Sequence, residues 1–371
     1  MVANVDANAG ESSFDFTTSG RNFNAAVFRE SSSSIQSNDL DCMQVIRKSF
    51  RDRGFSEQSI NIFMASWRAK TKCQYKTYLS KWFQFCCERS INSFYVSVND
   101  VIEFLTELYN KGLGYSSLNT ARSALSSLGI LLEQYTAGSH PQVIRFMKGV
   151  FNLRPSTSRY MDIWDVDQVL CYLRKLSPVR NISLKDLTLK LAMLIALVNA
   201  ARIQTVHLLT VKNFKKLTSE YVFCCDGLIK QSRPGVHFSK VHLRAYPPDR
   251  RLCVYTVMKE YLKRTKMLRD SKENRLLISF RKPHKAVSKD TVARWIKVVL
   301  IRSGIDTVKY GAHSVRAATT SKAKLMDVPL ADIMKHAGWS NKSTFTRFYD
   351  KEIVKNDTVV KAVLELDKQR S

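Results

Sequence analysis

From Asp41 onward apolar residues recur at helical spacing, and they divide the first half of the chain into short helices. Tyr75, Tyr78, Leu79, Trp82, Phe83 and Cys86 follow the i, i+3, i+4, i+7 rule, so one face of a helix here is core. Asn99 reads as the cap of a helix from Asp100 to Lys111, with Val101, Phe104, Leu105 and Leu108 inward and Gly112 as the stop. Another is expected from about Ser116 to Gln134 on Leu118, Ala121, Leu125, Leu128 and Leu132. Pro141 opens a fourth that uses Ile144, Met147 and Phe151. Residues 154–158, Arg-Pro-Ser-Thr-Ser, then break the pattern as a linker.

The second half mixes periods. Ser183 to Ala200 is a helix with a capping-box start, Ser183 and Asp186, and a nearly all-round apolar surface, so it is buried. Glu220 to Cys225, Asp226-Gly227 and Leu228 to Ser232 read as strand, tight turn and strand, with a further β segment running through Leu243. A helix follows Pro247 and Pro248 through Arg264, Leu276 to Phe280 is a short strand, and Ser288 caps a helix carrying Val292, Trp295, Ile296, Val299 and Leu300. Ser314 is expected to cap a helix through Lys324. Gly338 ends a helix begun near Pro329, and Ser340 caps a short one from Ser343 to Tyr349. Val359, Val360, Val363 and Leu364 then form an apolar stripe on a polar tail, which packs on its own domain or on a neighbouring subunit. The fold class is therefore mostly α with a small antiparallel β-sheet in the second domain. The expected layout is a disordered leader over 1–40, a helical domain over 41–153, the linker 154–158, and a second domain over 159–371 with a helical tail.

Charge narrows the partner. The chain carries a formal +27 over 371 residues. Residues 1–40 hold Arg21 and Arg29 against five acids, so the remainder is more basic still. Such a surface suits a polyanion, and double-stranded DNA is the natural one, because each neutralised phosphate releases counterions. Membrane association is not expected: no strongly basic amphipathic helix or lipidation signal appears, and the longest apolar run, Leu191 to Val198, is too short to span a bilayer. Eight cysteines lack zinc-site or disulfide-framework spacing, so neither is expected; no cofactor is expected either. A soluble, intracellular protein follows, nuclear if its host is eukaryotic. Lys70, Lys72, Lys76 and Lys81 share a helix face that follows a DNA backbone or is merely solvated. Ser117, Thr120, Arg122 and Ser123 are candidates for groove contacts.

The chemistry concentrates between Gly311 and Tyr349. His313 and Arg316 stand three apart, which on one helix face sets a proton-transfer group beside a bidentate phosphate clamp, although the same spacing serves a solvated face or a core histidine. Trp339 follows Gly338, and Tyr349 lies ten residues beyond it. This combination, H-x-x-R, then G-W, then Tyr, resembles the tyrosine recombinases, or phage integrase family. The phrasing HSVRAATTS and AGWSNKSTFTRFY is similar to the integrases of eukaryotic DIRS, Ngaro and Crypton elements.

The resemblance implies a front domain of the core-binding, SAM-like kind and an α+β catalytic domain acting as a homo-oligomer on DNA, dimer to tetramer. It implies a nucleophile at Tyr349 that forms a 3′-phosphotyrosyl link, with Arg202 and Arg316 on the phosphate and His313 as hydrogen-bond partner or proton acceptor. Lys230 becomes the general acid, with Lys240 its rival, and Trp339 takes the place of a second histidine. Arg202 lies in A-R-I-Q-T-V-H-L-L, similar to the family's first arginine box, but Thr205 stands where members usually carry an acid. His336 is expected to be structural, and Tyr221, Tyr255 and Tyr310 to be packing residues. The alternatives are a DNA-binding protein that no longer cuts and an enzyme of the type IB topoisomerase kind.

Overall fold

The computed structural model describes residues 42–155 and 160–354, except 213, 226, 231, 233–239 and 271–272. The leader, the expected turn residue Asp226 and the apolar stripe of the tail lie outside the described residues. The chain divides into two compact units at 156/157.

The first unit is a helical bundle: α1 (Cys42–Asp52), α2 (Glu57–Ala65), α3 (Ala69–Glu88), α4 (Val98–Asn110), α5 (Tyr115–Ser126) and α6 (Pro141–Leu153), with a small hairpin of β1 (Leu131–Leu132) and β2 (Tyr135–Thr136). Its core is built on Trp82, stacked on Phe85 and edge-on to Phe104. The stripe on α3 packs as expected, with Leu79, Trp82, Phe83 and Cys86 buried.

Three sequence expectations need correction here. The cap of α4 is Ser97, not Asn99; it forms a reciprocal capping box with Asp100. Helix α5 stops at Ser126 rather than Gln134. The chain turns at Gly129 (φ +73°), and the hairpin returns Leu132 to the core, so the apolar spacing was satisfied without a continuous helix. Helix α6 buries Val143, Met147 and Val150, leaving Ile144 and Phe151 partly in solvent. Both triplets meet helical spacing, and spacing alone could not choose between them.

The second unit is organised around α8 (Leu184–Val198), buried along nearly its whole length. Before it come β3 (Asp162–Trp164) and α7 (Val166–Lys175); after it come α9 (Ile203–Leu208) and an antiparallel sheet of β4 (Lys215–Lys216), β5 (Glu220–Phe223) and β6 (Val241–Arg244), in that order. Helices α10 (Val254–Thr265) and α11 (Lys289–Arg302) pack on α8. The chain ends its described course through α12 (Ser314–Leu325), α13 (Leu330–Ala337), α14 (Lys342–Phe348) and β7 (Glu352–Val354). Strand β7 pairs in parallel with β3, Ile163 opposite Ile353.

The expected strand at Leu228 to Ser232 is absent among its described residues. There the Ile229 N–H bonds the Ser232 hydroxyl in a local turn, and β5 pairs instead with β6. Leu276 to Phe280 likewise makes only an isolated bridge, Ile278 to Ala286. On α11 the five expected core residues are all buried behind a Ser288 cap.

Candidate active site

Helix α12 carries Arg316 on its buried face, 4% exposed. Its Nη1 donates to the Ala200 carbonyl at 2.6 Å and its Nη2 to the Ala337 carbonyl at 2.5 Å. Both carbonyls lie at helix ends, where the chain's own ladder leaves oxygens unpaired and slightly negative. Beyond α8 the backbone passes through Ala200 in the left-handed region (φ +42°), strained for a residue with a Cβ, and two residues later Arg202 takes the N-cap position of α9. At the close of α13, Gly338 adopts φ +65° without that cost and swings Trp339 inward.

Trp339, 8% exposed, lies against the arginine, with the Arg316 Cζ 4.3 Å from its ring centre. The Tyr349 ring stands 4.5 Å from the Trp339 ring and 5.4 Å from the Arg316 Cζ. Among the described residues, neither the buried Nε of Arg316 nor the buried Nε1 of Trp339 has a hydrogen-bond partner. A buried donor left unsatisfied costs about 1–3 kcal/mol. Two such donors in one cluster make it a place where an anion would be bound.

The electrostatics agree. Burial, and next the neighbouring charge of Arg202, push the Arg316 guanidinium down to about 10, with Tyr349 acting the other way. Arg202 is lowered by its own burial, again opposed by Tyr349. Two cationic heads and a phenol therefore share one field. The position that would hold an acid, Thr205, does not neutralise it.

Ser314 does not cap α12. It is the helix's first residue, and its hydroxyl accepts a hydrogen bond from the Trp164 indole at 2.8 Å, while His313 occupies the N-cap position. His313, at the helix start, is exposed, whereas Arg316 is buried. The cap of α14 is Asn341, not Ser340.

Lys230 stands exposed in a turn, and Lys240 is exposed just before β6. His336 meets the Val198 carbonyl at 2.8 Å, the structural role expected of it. Tyr310 bonds Asp162 at 2.6 Å and Tyr221 stacks on Tyr255 at 4.8 Å, so these three tyrosines pack. The carbonyls of Ala200 and Ala337 had no signal in the sequence, since any residue supplies one.

In the first unit, Gln74, Thr77 and Tyr78 of α3 face Ser116, Ser117 and Thr120 of α5 across a polar cleft of about 290 Å³. Lys70 is exposed, and Lys72 and Lys76 are half-exposed on α3. Arg122 is half-buried and donates to the Gly138 carbonyl at 3.2 Å, so part of its fork is already engaged. Among the described residues no group of acids, histidines and cysteines could hold a metal ion, and no helix is long and apolar enough to cross a membrane.

Residues 62–132 match the family model for the phage integrase N-terminal SAM-like domain. No curated protein matches the chain. Among solved structures it is similar to the XerH site-specific recombinase bound to difH substrate in a pre-cleavage complex, at 15% identity and TM-score 0.54, covering 87% of this chain and 84% of that one. The post-cleavage XerH complex gives 15% and 0.53, covering 88% and 83%. A Tn1549 transposon integrase in complex with transposon right-end DNA gives 15% and 0.53, covering 89% and 99%. The chain thus has the tyrosine-recombinase fold, a mostly helical architecture with small sheets. With the match of residues 62–132 to the phage-integrase SAM-like domain, this supports the broad resemblance to tyrosine recombinases read from the sequence.

Proposed function

We propose that this chain is a site-specific DNA recombinase or integrase that cleaves and rejoins strands through a 3′-phosphotyrosyl intermediate. The observation that carries this reading is the cluster of Arg316, Trp339 and Tyr349, with Arg202 within its field. A scissile phosphate accepts from Arg202, from the orphaned Nε of Arg316 and from the Trp339 indole. The Tyr349 oxygen attacks phosphorus and the bond to the 5′ oxygen breaks. His313 takes the phenolic proton or bonds the phosphate, and Lys230, with Lys240 the alternative, protonates the leaving oxygen. The reverse attack by a 5′-hydroxyl restores the backbone, so bond energy is conserved.

The partner is double-stranded DNA, approached in the first unit by Lys70, Lys72, Lys76, Thr120 and Arg122, with the active form a homo-oligomer on its site. The solved relatives in complex with recombination-site or transposon-end DNA support that partner. A mobile-element origin of the DIRS, Ngaro or Crypton kind, with a nuclear site of action, fits the quoted sequence phrasing. A nicked suicide substrate tests the reaction: wild type should trap a covalent adduct that Tyr349→Phe lacks. Tight binding with no adduct in either would establish the non-cutting alternative, and relaxation of supercoils without sequence preference the topoisomerase one.

A further inference from the structure

Tyr349 closes α14: its N–H donates to the Phe345 carbonyl at 2.8 Å, but its own φ of −127° and ψ of −16° leave the helix. Its carbonyl is taken up instead by Ser321, whose hydroxyl donates to it at 2.8 Å. The Ser321 hydroxyl oxygen in turn accepts the Lys351 N–H at 3.0 Å. One hydroxyl therefore grips the backbone on both sides of Asp350. Ser321 is 4% exposed and lies on α12, the helix that carries Arg316 five residues earlier. One turn on, Lys324 pairs with Asp350 at 2.6 Å, an exposed contact of small worth.

We propose that Ser321 is a positioning residue for the nucleophile, resting on the recombinase reading above. Helix α12 holds the phosphate-binding guanidinium through Arg316 and, through Ser321, the backbone from which the attacking phenol springs. The two reacting partners are thus referenced to one rigid element. A displacement of the phenol by about 1 Å is enough to lower an in-line attack on the order of 100-fold. Ser321 is buried with its hydroxyl engaged by the backbone of Tyr349 and Lys351, so its effect belongs to the cleavage step and not to binding.

The test compares wild type with Ser321→Ala, Ser321→Thr and Ser321→Cys in single-turnover cleavage of the nicked substrate, alongside DNA affinity and thermal melting. Ser321→Ala should lose about 10- to 100-fold in cleavage with affinity within about threefold of wild type, and Ser321→Thr, which keeps the hydroxyl, should recover most of the loss. Cleavage by Ser321→Ala at the wild-type rate overturns the proposal, as does an equal fall in affinity and cleavage. If Ser321→Ala does not fold, Ser321→Cys, a weak donor, decides in its place: about fivefold slower supports the role and wild-type speed ends it. If wild type itself forms no adduct, the reaction assignment fails separately. Hydrogen exchange at the Lys351 amide then reads the hydroxyl directly. Exchange at least about tenfold faster in Ser321→Ala sustains the grip, and unchanged exchange removes it.

Discussion

Replacing Arg316 with alanine separates what this side chain does for the fold from what it does for the phosphate. Two hydrogen bonds, to the carbonyls of Ala200 and Ala337, disappear with the guanidinium. Bonds from a charged donor contribute about 1.5–3 kcal/mol each. Opposing them is the cost of keeping the charge buried beside Arg202. A guanidinium pushed down from its ordinary range to about 10 carries about 3 kcal/mol of that cost, at roughly 1.4 kcal/mol per pKa unit. The difference is about 0–3 kcal/mol, so Arg316→Ala should lose no more than ~3 kcal/mol in stability, a drop of up to about 10 degrees in Tm. Catalysis has no such compensation, since removing one transition-state donor costs on the order of 100- to 1,000-fold. Affinity for DNA should fall only a few-fold, because one phosphate contact among several is lost. Single-turnover adduct formation, filter binding and thermal melting on one preparation give all three numbers. Arg316→Lys, whose single nitrogen cannot span both carbonyls and also face a phosphate, should still lose more than about tenfold in cleavage. Equal losses in binding and cleavage would refute the assignment of Arg316 to the phosphate, and so would cleavage within tenfold of wild type.

The remaining expectations are shorter. Trp339→Phe keeps the ring against Tyr349 but deletes an indole N–H that has no partner among the described residues, so cleavage should drop by about 10- to 100-fold with stability changed by under ~1 kcal/mol, read by adduct assay and melting. Lys190, fully buried on α8 and bonded to the Leu176 carbonyl and the Ser177 hydroxyl, is pushed down to about 8, by burial first. The unfolded chain holds that proton up to about 10.5, so stability should rise between pH 8 and 10.5; the rise should be missing in Lys190→Met when urea midpoints are compared across pH. Ser97→Ala, which opens the capping box at α4, should cost about 1 kcal/mol by denaturant unfolding while leaving the adduct yield intact.

Much of this was legible because the signals were local. The all-round apolar run of α8, the Ser183 cap, the core face of α11 and the left-handed stop at Gly338 each depend on a few adjacent residue types, and each formed as read. Errors arose where two arrangements shared one pattern. Leu128 and Leu132 are buried as a continued α5 would require, yet a turn at Gly129 and a hairpin bring them there. The cap of α4 was missed because Asn99, also a good cap residue, stands two places beyond the serine that does the work. At the candidate site Arg202, Arg316, Trp339 and Tyr349 were singled out through the family resemblance, and the structure brings the last three into one cluster. The carbonyls that hold Arg316, and the exposure of His313 at the helix start, depend on tertiary packing and were not visible.

The parallel pairing of β7 with β3 begins three residues past Tyr349. It staples the stretch leaving the phenol to the first strand of its own unit, a partner nearly two hundred positions earlier in the chain. Tension applied to the polypeptide downstream would be borne by those few rungs before it reached the tyrosine. Shearing them would leave the reactive segment on its second tether, the Ser321 hydroxyl and the Lys324–Asp350 pair, so the nucleophile is moored first to the strand and then to the helix that seats the guanidinium.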